Sequence, residues 1–403
     1  MNAVMYGAGN IGRGFIGALL SQAGYKVTFV DISQVVVDSL NETNNYPLRI
    51  ISSNAYEDVE ISGVCAINGN DREAVAEAIA QSDIVATAVG AKILPYISAN
   101  IAAGLRARWK ISEAPLDILI CENLMDADKV LKNLIMNELS PSEYDLFDER
   151  VGLVETSIGR MVPVQTPELQ DGNPMRICVE KYGFLPVDKD AFRGTIPAIK
   201  NLVPFSPFAF YLKRKLYLHN MSHAVCAYLG LYTGRRCIFE AIADPHIRLI
   251  VKEAMSESMA SLSQEYGVPM QEILRHSDDL LIRFTNQALG DTCSRVGGDP
   301  ARKLHSSDRL IGASLLCEKH GVFPTGIAIG SAGALYHYLN ETEQLQKKAN
   351  AAAALLEVSS LDPNGRLSSL ILEFYELFRT GTNPEQLYQA AEATKKTSMP
   401  EIV

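Results

Sequence analysis

The sequence lacks the cysteine spacing that disulfide frameworks and zinc sites require. Its seven cysteines are scattered over 403 residues, are odd in number, and include no Cys-x-x-Cys pair. This pattern is typical of reduced thiols in a cytosolic protein. The histidines outside the motifs described below have no metal-ligand spacing with one another or with acidic residues (His219, His246, His276, His320 and His337). We therefore expect neither disulfides nor a catalytic metal.

Long apolar runs and an excess of positive charge are also missing. No apolar run reaches the ~18 residues that a membrane helix needs, and the first residues show no charged leader followed by an apolar stretch. The formal net charge is −10, which argues against nucleic acid as a main partner because phosphate backbones select basic surfaces. We expect a soluble cytoplasmic protein that does not bind membranes and acts on a small molecule.

What is present predicts two domains, since the chain is longer than one ordinary hydrophobic core. Strand and helix signals alternate in the first half, which predicts a mostly parallel, doubly wound sheet of the Rossmann type. After about residue 195 the segments have helical periodicity almost throughout. We predict an α/β fold, with a Rossmann-type NAD-binding domain at 1–195 followed by an all-α substrate-binding and catalytic domain at 196–403.

Hydrophobic periodicity and breaker residues locate the individual elements. Strands after the first two are expected at 48–52, 58–66, 84–89, 117–121, 151–157 and 175–180. Helices of the second half are expected at 211–231, 245–266, 269–289, 307–320, 326–339, 342–358 and 366–378. Pro197, Pro204 and Pro207 indicate a linker between the two halves.

A glycine-rich motif, Gly7-Ala8-Gly9-Asn10-Ile11-Gly12, lies between the first predicted strand and an apolar helix. Gly7 permits a tight turn, Gly9 lets the backbone approach a pyrophosphate, and Gly12 lets the helix pack on the strand. Asp31 ends the second strand, where a carboxylate binds the adenosine ribose, and no cation for a 2′-phosphate follows it. The motif predicts NAD(H) rather than NADP(H), although an ordinary βαβ unit can contain a similar turn.

Two further segments follow predicted strands of this sheet. Ala88-Val89-Gly90 ends one strand in a small residue, where a nicotinamide can pass close to the backbone, and Cys121-Glu122-Asn123 follows the next strand. Because ligands bind beyond the carboxyl ends of parallel strands, we expect both segments to face the cofactor. Glu122 either belongs to this site or caps the helix that follows.

A second group of polar residues lies on the first predicted helix of the second half. On an α-helix, Lys215, Asn220 and His223 fall within an arc of about 140°, and the rest of the segment is largely apolar. Desolvation lowers the pKa of a lysine, which makes it usable as a general base near neutral pH. Spacing alone leaves an alternative open, in which residues 213–215 form a solvated basic edge and His223 is a core histidine.

Cations are concentrated near residue 300 of this acidic chain (Arg295, Arg302, Lys303, His305 and Arg309). Arginine binds phosphate in a bidentate manner, so this segment is the candidate site for a substrate phosphate. The alternative is that these side chains form ordinary ion pairs at the start of a helix.

Taken together, these motifs resemble those of the polyol-specific long-chain dehydrogenases. The resemblance runs in the family's order through Gly7 to Arg13, Thr87-Ala-Val-Gly90, Cys121-Glu-Asn123, Lys215-x-x-x-x-Asn220-x-x-His223, Arg302-Lys-Leu304, Asp308-Arg-Leu-Ile311 and Ser360-Leu-Asp-Pro-Asn364. The chain length is similar to that of the shorter members, which act on phosphorylated sugars. The resemblance implies a monomeric NAD-dependent oxidoreductase that interconverts mannitol 1-phosphate and fructose 6-phosphate.

The resemblance also implies roles for single residues. Lys215 is the expected proton acceptor, Asn123 and Asn220 hold the reacting oxygen, and His223 contacts the substrate, in a cleft between the two domains. Family members often have Asp-Arg where this chain has Gly159-Arg160. Two alternatives remain, namely a hexuronate reductase of the same family, acting on fructuronate or tagaturonate, and a non-catalytic NAD(H)-sensing protein.

Overall fold

The computed structural model describes residues 1–53, 55–341 and 351–398. It divides into two compact units, Met1–Phe208 and Ala209–Val403. The boundary that the sequence suggested, residue 195, lies upstream of this division. Residues 196–208 belong to the first unit because they include a strand that pairs there.

The first unit contains strands and helices in alternation. Its strands are β1 (Asn2–Tyr6), β2 (Lys26–Asp31), β3 (Asn45–Ile51), β4 (Tyr56–Ser62), β5 (Val64–Asn68), β6 (Ile84–Thr87), β7 (Leu116–Ile120), β8 (Val151–Glu155), β9 (Ile177–Glu180), β10 (Leu185–Asp188) and β11 (Leu202–Phe205). Its helices are α1 (Gly17–Gln22), preceded by a π-helical turn at Gly12–Ile16, α2 (Gln34–Thr43), α3 (Arg72–Ala80), α4 (Leu94–Trp109), α5 (Ala127–Glu138) and α6 (Tyr144–Arg150).

Six strands form a parallel sheet in the order β5-β2-β1-β6-β7-β8. This is the Rossmann order, in which the direction of winding reverses between β1 and β6. Central strands are mostly apolar because helices cover both faces, and Val85 and Ile118 are fully buried. The predicted fold class is therefore confirmed, and the carboxyl ends of β1, β6 and β7 lie side by side.

The predicted strand 58–66 is wrong as a single element. Gly63 has a φ of +70° and ends β4, which runs antiparallel to β3 in a separate sheet with β9. After the glycine, β5 forms the edge of the main sheet beside β2. The continuous run of strand-favouring residues concealed a turn that only a left-handed residue accommodates.

The predicted linker contains a strand. β11 includes Pro204 and pairs in parallel with β10, which includes Pro186. Proline cannot donate to a sheet ladder, so Pro204, together with Pro197 and Pro207, indicated a linker, but short two-stranded edges tolerate proline.

The second unit is helical. It comprises α7 (Ala209–Arg214), a π-helical turn (Lys215–Asn220), α8 (Met221–Tyr232), α9 (Ile238–Ala243), α10 (Pro245–Tyr266), α11 (Met270–Phe284), α12 (Cys293–Gly297), α13 (Pro300–Lys303), α14 (Ile311–Lys319), α15 (Thr325–Glu341), α16 (Ala351–Ser359), α17 (Arg366–Arg379) and α18 (Pro384–Ser398). Of the predicted helix 342–358, residues 342–350 lie outside the described residues, and α16 covers all of the rest. Within the described ranges no helix is long and apolar enough to cross a membrane.

Candidate active site

In the glycine-rich turn between β1 and α1, Gly7 and Gly12 have no room for a Cβ atom. Gly7 has a φ of +92°, and a Cβ there would lie 2.5 Å from the carbonyl oxygen of Ala88. A Cβ on Gly12 would overlap the carbonyl oxygen of Gly7. At Gly9, in contrast, a Cβ would meet no heavy atom within 4 Å. The turn thus leaves open space where the sequence predicts a pyrophosphate, at the start of a helix whose free N–H groups favour anions.

Asp31 holds this turn in place. Its carboxylate accepts hydrogen bonds from the backbone N–H of Ala8 at 2.7 Å and of Ser33 at 2.9 Å. A carboxylate offers about four acceptor positions, so Asp31 retains capacity for ribose hydroxyls. Arg13 is buried and donates to the carbonyl oxygens of Ala8 at 2.6 Å and Met175 at 2.9 Å. The two side chains fix the backbone that would bind the dinucleotide.

Glu122, just after β7, binds the loop that follows β6. Its carboxylate accepts hydrogen bonds from the N–H of Val89 at 2.9 Å and of Gly90 at 2.8 Å. The first N–H of α5, that of Ala127, donates to Glu155 instead, at 2.9 Å. The interpretation of Glu122 as a cap of the following helix is therefore wrong. Asn123 is exposed at this edge of the sheet, and its role in holding the reacting oxygen stays a prediction.

In the second unit, Lys215 and Asn220 are the first and last residues of a π-helical turn. Hydrogen bonds from i to i+5 close such a turn, so residues five positions apart lie nearly one above the other. The α-helical arc of about 140° between them is therefore too wide, and both residues lie on one narrow face. The side-chain amide of Asn220 has no hydrogen-bond partner among the described residues. Single π-helical turns occur frequently at functional sites.

Lys215 differs from its two basic neighbours. Burial, with a smaller contribution from the nearby Arg309 guanidinium, lowers the pKa of Lys215 to about 8. Lys213 donates to the Tyr217 hydroxyl at 3.1 Å, and the Arg214 guanidinium stacks 4.6 Å above the Tyr211 ring. All three are only partly exposed, and Lys213 and Arg214 contact aromatic side chains, which argues against the alternative of a solvated basic edge.

His223 is held between a carboxylate and an aromatic ring. Its Nε2 atom lies 3.1 Å from Oδ2 of Asp291, and its ring stacks on Phe284 at 4.8 Å with an interplanar angle of 16°. Nε of Arg295 lies 2.8 Å from Oδ1 of Asp291. Burial alone would raise the pKa of Asp291, but the hydrogen bond and charge of His223, together with Arg295, lower it. Asp291 was missed in the sequence because it lies 68 residues from His223, in a loop without a motif.

Four of the five cations predicted near residue 300 have partners within the second unit. Arg295 binds Asp291, and Arg302 binds Asp299 at 2.8 Å and Asp308 at 2.9 Å. Arg309 binds Asp308 at 2.8 Å. Nδ1 of His305 lies 2.8 Å from the Ser307 hydroxyl. The three arginines therefore form ion pairs, as the alternative from the sequence analysis described.

Lys303 is the exception. The residue is 4% exposed, and its ammonium has no hydrogen bond or ion pair among the described residues. Burial, with smaller contributions from the charges of Arg309 and Arg302, lowers the pKa of Lys303 to about 8. Because Arg309 acts on both lysines, we refer to Lys215, Lys303 and Arg309 as the basic cluster. A buried ammonium without a partner is costly unless a ligand compensates it.

Gly159, the position where the family resemblance led us to expect aspartate, lies beside Tyr182. A Cβ on Gly159 would lie 3.1 Å from the Tyr182 ring, so a larger side chain requires that ring to move. Arg160 donates to the carbonyl oxygens of Glu180 at 2.9 Å and Gly14 at 3.0 Å. The arginine of the pair thus supports the first unit, while the tyrosine occupies the space next to the glycine.

Within the described ranges, the side chains of His, Cys, Asp and Glu form no group of three that could hold a metal ion. None of the seven cysteines, all of which are described, forms a disulfide.

Comparison with known proteins gives matches along most of the chain. The mannitol dehydrogenase Rossmann domain matches residues 1–201, and the mannitol dehydrogenase C-terminal domain matches residues 208–372. A mannitol-1-phosphate 5-dehydrogenase from Brevibacillus brevis is 38% identical over 351 residues, which cover 87% of this chain and 90% of that protein.

Two solved structures share the fold. The Pseudomonas fluorescens mannitol 2-dehydrogenase, solved as a ternary complex with NAD and D-mannitol, has a TM-score of 0.76 at 15% identity and covers 97% of this chain and 94% of its own. A substrate-free D-sorbitol dehydrogenase has a TM-score of 0.78 at 16% identity, with 96% and 94% covered. The matches over both domains and the 38% identical relative show that this chain belongs to the mannitol dehydrogenase family.

Proposed function

We propose that the protein is an NAD-dependent dehydrogenase that interconverts mannitol 1-phosphate and fructose 6-phosphate. The observation that carries this proposal is the basic cluster. Lys215 has a pKa of about 8, which suits proton transfer near neutral pH. The charge of Arg309 lowers the pKa of both Lys215 and Lys303. Lys303 is the buried cation of the cluster that can bind a phosphate. The 38% identical mannitol-1-phosphate 5-dehydrogenase supports the same substrate pair.

The residues of the first unit fit an NAD molecule. The open face at Gly9 and the start of the helix suit a pyrophosphate, and the remaining acceptor positions of Asp31 suit the ribose hydroxyls. Asp31 would also repel a 2′-phosphate, which favours NAD over NADP. When bound, the nicotinamide ring supplies or accepts the hydride.

In the direction of ketose reduction, the Lys215 ammonium donates a proton to the carbonyl oxygen of C2 while a hydride is added to the C2 carbon. In the reverse direction, neutral Lys215 accepts the hydroxyl proton as the hydride leaves the same carbon. Asn220 donates a hydrogen bond to this oxygen from the same face of the π-helical turn, and Asn123 keeps its predicted role as a second donor. Preorganised donors of this kind stabilise the developing alkoxide by about 3 kcal/mol.

We propose that the substrate phosphate binds Lys303 and Arg309. Asp308 binds the Nε atom of Arg309, and among the described residues the terminal NH2 groups of this guanidinium have no other hydrogen-bond partner. Arg295 is engaged at Asp291, and His305 and Arg302 are exposed. We therefore assign those three side chains no direct phosphate contact.

The proposal is tested by NADH oxidation with purified protein and a panel of carbonyl substrates. We expect turnover with fructose 6-phosphate and little with fructose, fructuronate or tagaturonate. Turnover with a hexuronate and none with the phosphate would instead support the hexuronate reductase alternative. NADH binding without turnover of any substrate would support the non-catalytic alternative. We also expect a monomer, which light scattering after size exclusion measures.

A further inference from the structure

Glu122 is a buried carboxylate that two successive backbone N–H groups satisfy. It is 7% exposed and accepts from Val89 at 2.9 Å and Gly90 at 2.8 Å. Within the described part of the chain, no cation forms an ion pair with it. A buried charge without a cation is costly, and hydrogen bonds to a charged acceptor offset that cost only while both are made. The carboxylate and the loop therefore hold each other in one conformation.

The loop that Glu122 binds has a backbone conformation that its side-chain packing does not stabilise. Gly90 has a φ of +91° and a ψ of +138°, a region that is open almost only to glycine. A Cβ at Gly90 would meet no heavy atom within 4 Å, so the surroundings do not pack against this residue. The conformation depends on hydrogen bonds rather than on packing. Glu122 supplies the acceptor for both N–H groups at the turn.

The loop and Glu122 follow neighbouring parallel strands at their carboxyl ends. β6 and β7 are paired from Ile84 with Asp117 to Thr87 with Ile120. Ligands of doubly wound sheets bind at this edge, and a small residue there allows close approach of a planar ring. Asn123 is the next residue in the chain after Glu122.

We propose that Glu122 is a positioning residue, which fixes the 89–90 loop as the surface that binds the nicotinamide half of the dinucleotide. Because Asn123 follows Glu122 directly, Glu122 also fixes the backbone of Asn123. This inference rests on the proposed function. It goes further in assigning Glu122 an effect on one half of the cofactor. The adenosine half binds at the glycine-rich turn and Asp31, which Glu122 does not contact.

The test compares NADH with ADP-ribose, which lacks the nicotinamide, in direct binding titrations. In Glu122→Gln, the amide keeps one acceptor but turns an NH2 group toward the second N–H. We expect NADH to bind about 10-fold more weakly, ADP-ribose to bind as in the wild type, and kcat with fructose 6-phosphate to fall by a similar factor. Glu122→Asp keeps the charge but shortens the side chain. It should weaken NADH binding by a smaller factor and leave ADP-ribose binding unchanged; we call this selective loss of NADH affinity the binding split.

Asp117→Asn is the matched control on the same strand. Asp117 is also buried, and its carboxylate also accepts from two successive N–H groups, Arg193 at 2.8 Å and Gly194 at 3.1 Å. It lies near the amino end of β7, away from the ligand edge. We expect this variant to unfold at a lower temperature, and to bind NADH and ADP-ribose in the wild-type ratio.

Three outcomes would overturn the inference. These are unchanged NADH affinity in the Glu122 variants, an equal loss for both ligands, or the same split in Asp117→Asn. If wild-type protein binds NADH but turns over no substrate, the proposed function fails, yet the binding split still decides the role of Glu122. If the wild type binds neither ligand, both the proposed function and this inference are contradicted.

Discussion

The Oδ2 atom of Asp291 lies 3.1 Å from Nε2 of the His223 imidazole, within ion-pair distance. A carboxylate so close to the imidazole orients the ring. If His223 contacts the substrate, Asp291→Asn should raise KM for fructose 6-phosphate about 10-fold and change the KM for NADH little. Steady-state kinetics with both substrates varied measures this.

Arg295→Ala is the control for this experiment. It removes the outer partner of Asp291 but leaves the contact with His223. We expect a smaller rise in KM than in Asp291→Asn. A larger rise would mean that Arg295 itself binds the substrate, as the sequence alone suggested.

Lys303 should determine the preference for a phosphorylated substrate. Lys303→Met removes the buried ammonium and keeps most of the volume, so kcat/KM for fructose 6-phosphate should fall at least about 10-fold, while the slow reaction with fructose stays unchanged. Arg302→Met is the matched control, because Arg302 is exposed and paired with Asp299 and Asp308. Equal losses in both variants would contradict the assignment of the phosphate to Lys303.

The same lysine should make stability depend on pH. The pKa of Lys303 is about 8 in the folded chain, against an ordinary value of 10.5. Between these values the unfolded chain binds a proton that the folded chain does not, so the free energy of unfolding rises with pH. Below pH 8 the full cost of the buried charge remains.

Chemical denaturation of the wild type and Lys303→Met at several pH values measures this contribution. Relative to the variant, the wild type should gain on the order of 2 kcal/mol between pH 8 and 10.5. Other titrating groups cancel in the difference. Parallel curves for the two proteins would contradict the burial of a charged Lys303.

Asp31 should set the choice of cofactor. Asp31→Ser removes the carboxylate that accepts from the N–H of Ala8 and that we expect to bind the ribose, so NADH affinity should fall about 10-fold. The ratio of NADH affinity to NADPH affinity should also decrease. Asp38→Ser, on the exposed face of α2, should change neither affinity. An unaltered ratio of NADH to NADPH affinity in Asp31→Ser would contradict this role.

Local signals made the first unit predictable from sequence. The glycine-rich turn, the buried strand before it and Asp31 are near one another in the chain, and their pattern is tied to one backbone path. The failures have local causes as well. Gly63 ended a strand inside a continuous run, and Pro204 concealed a strand within the predicted linker, because proline and glycine have more than one structural role.

The site was predicted less completely because it depends on contacts between distant segments. Lys215, Asn220 and His223 were selected from their spacing, but the π-helical turn that aligns two of them has no sequence signal of its own. Glu122 was noticed but assigned to the wrong partner. Among the cations near residue 300, spacing could not distinguish Lys303 from the arginines, since only tertiary structure shows which charges are paired.

In the proposed reaction, Lys215 transfers the proton to or from the substrate oxygen. The most direct measurement is NADH oxidation with fructose 6-phosphate by Lys215→Ala, together with NADH binding and with Lys213→Ala as the control on the same helix. We expect turnover to fall about 1,000-fold in Lys215→Ala with NADH affinity retained, and the Lys213 variant to remain active. In the wild type, kcat/KM for polyol oxidation should rise with pH through an apparent pKa near 8, since the base must be neutral. Wild-type turnover in Lys215→Ala, or an oxidation rate independent of pH in this range, would contradict the account.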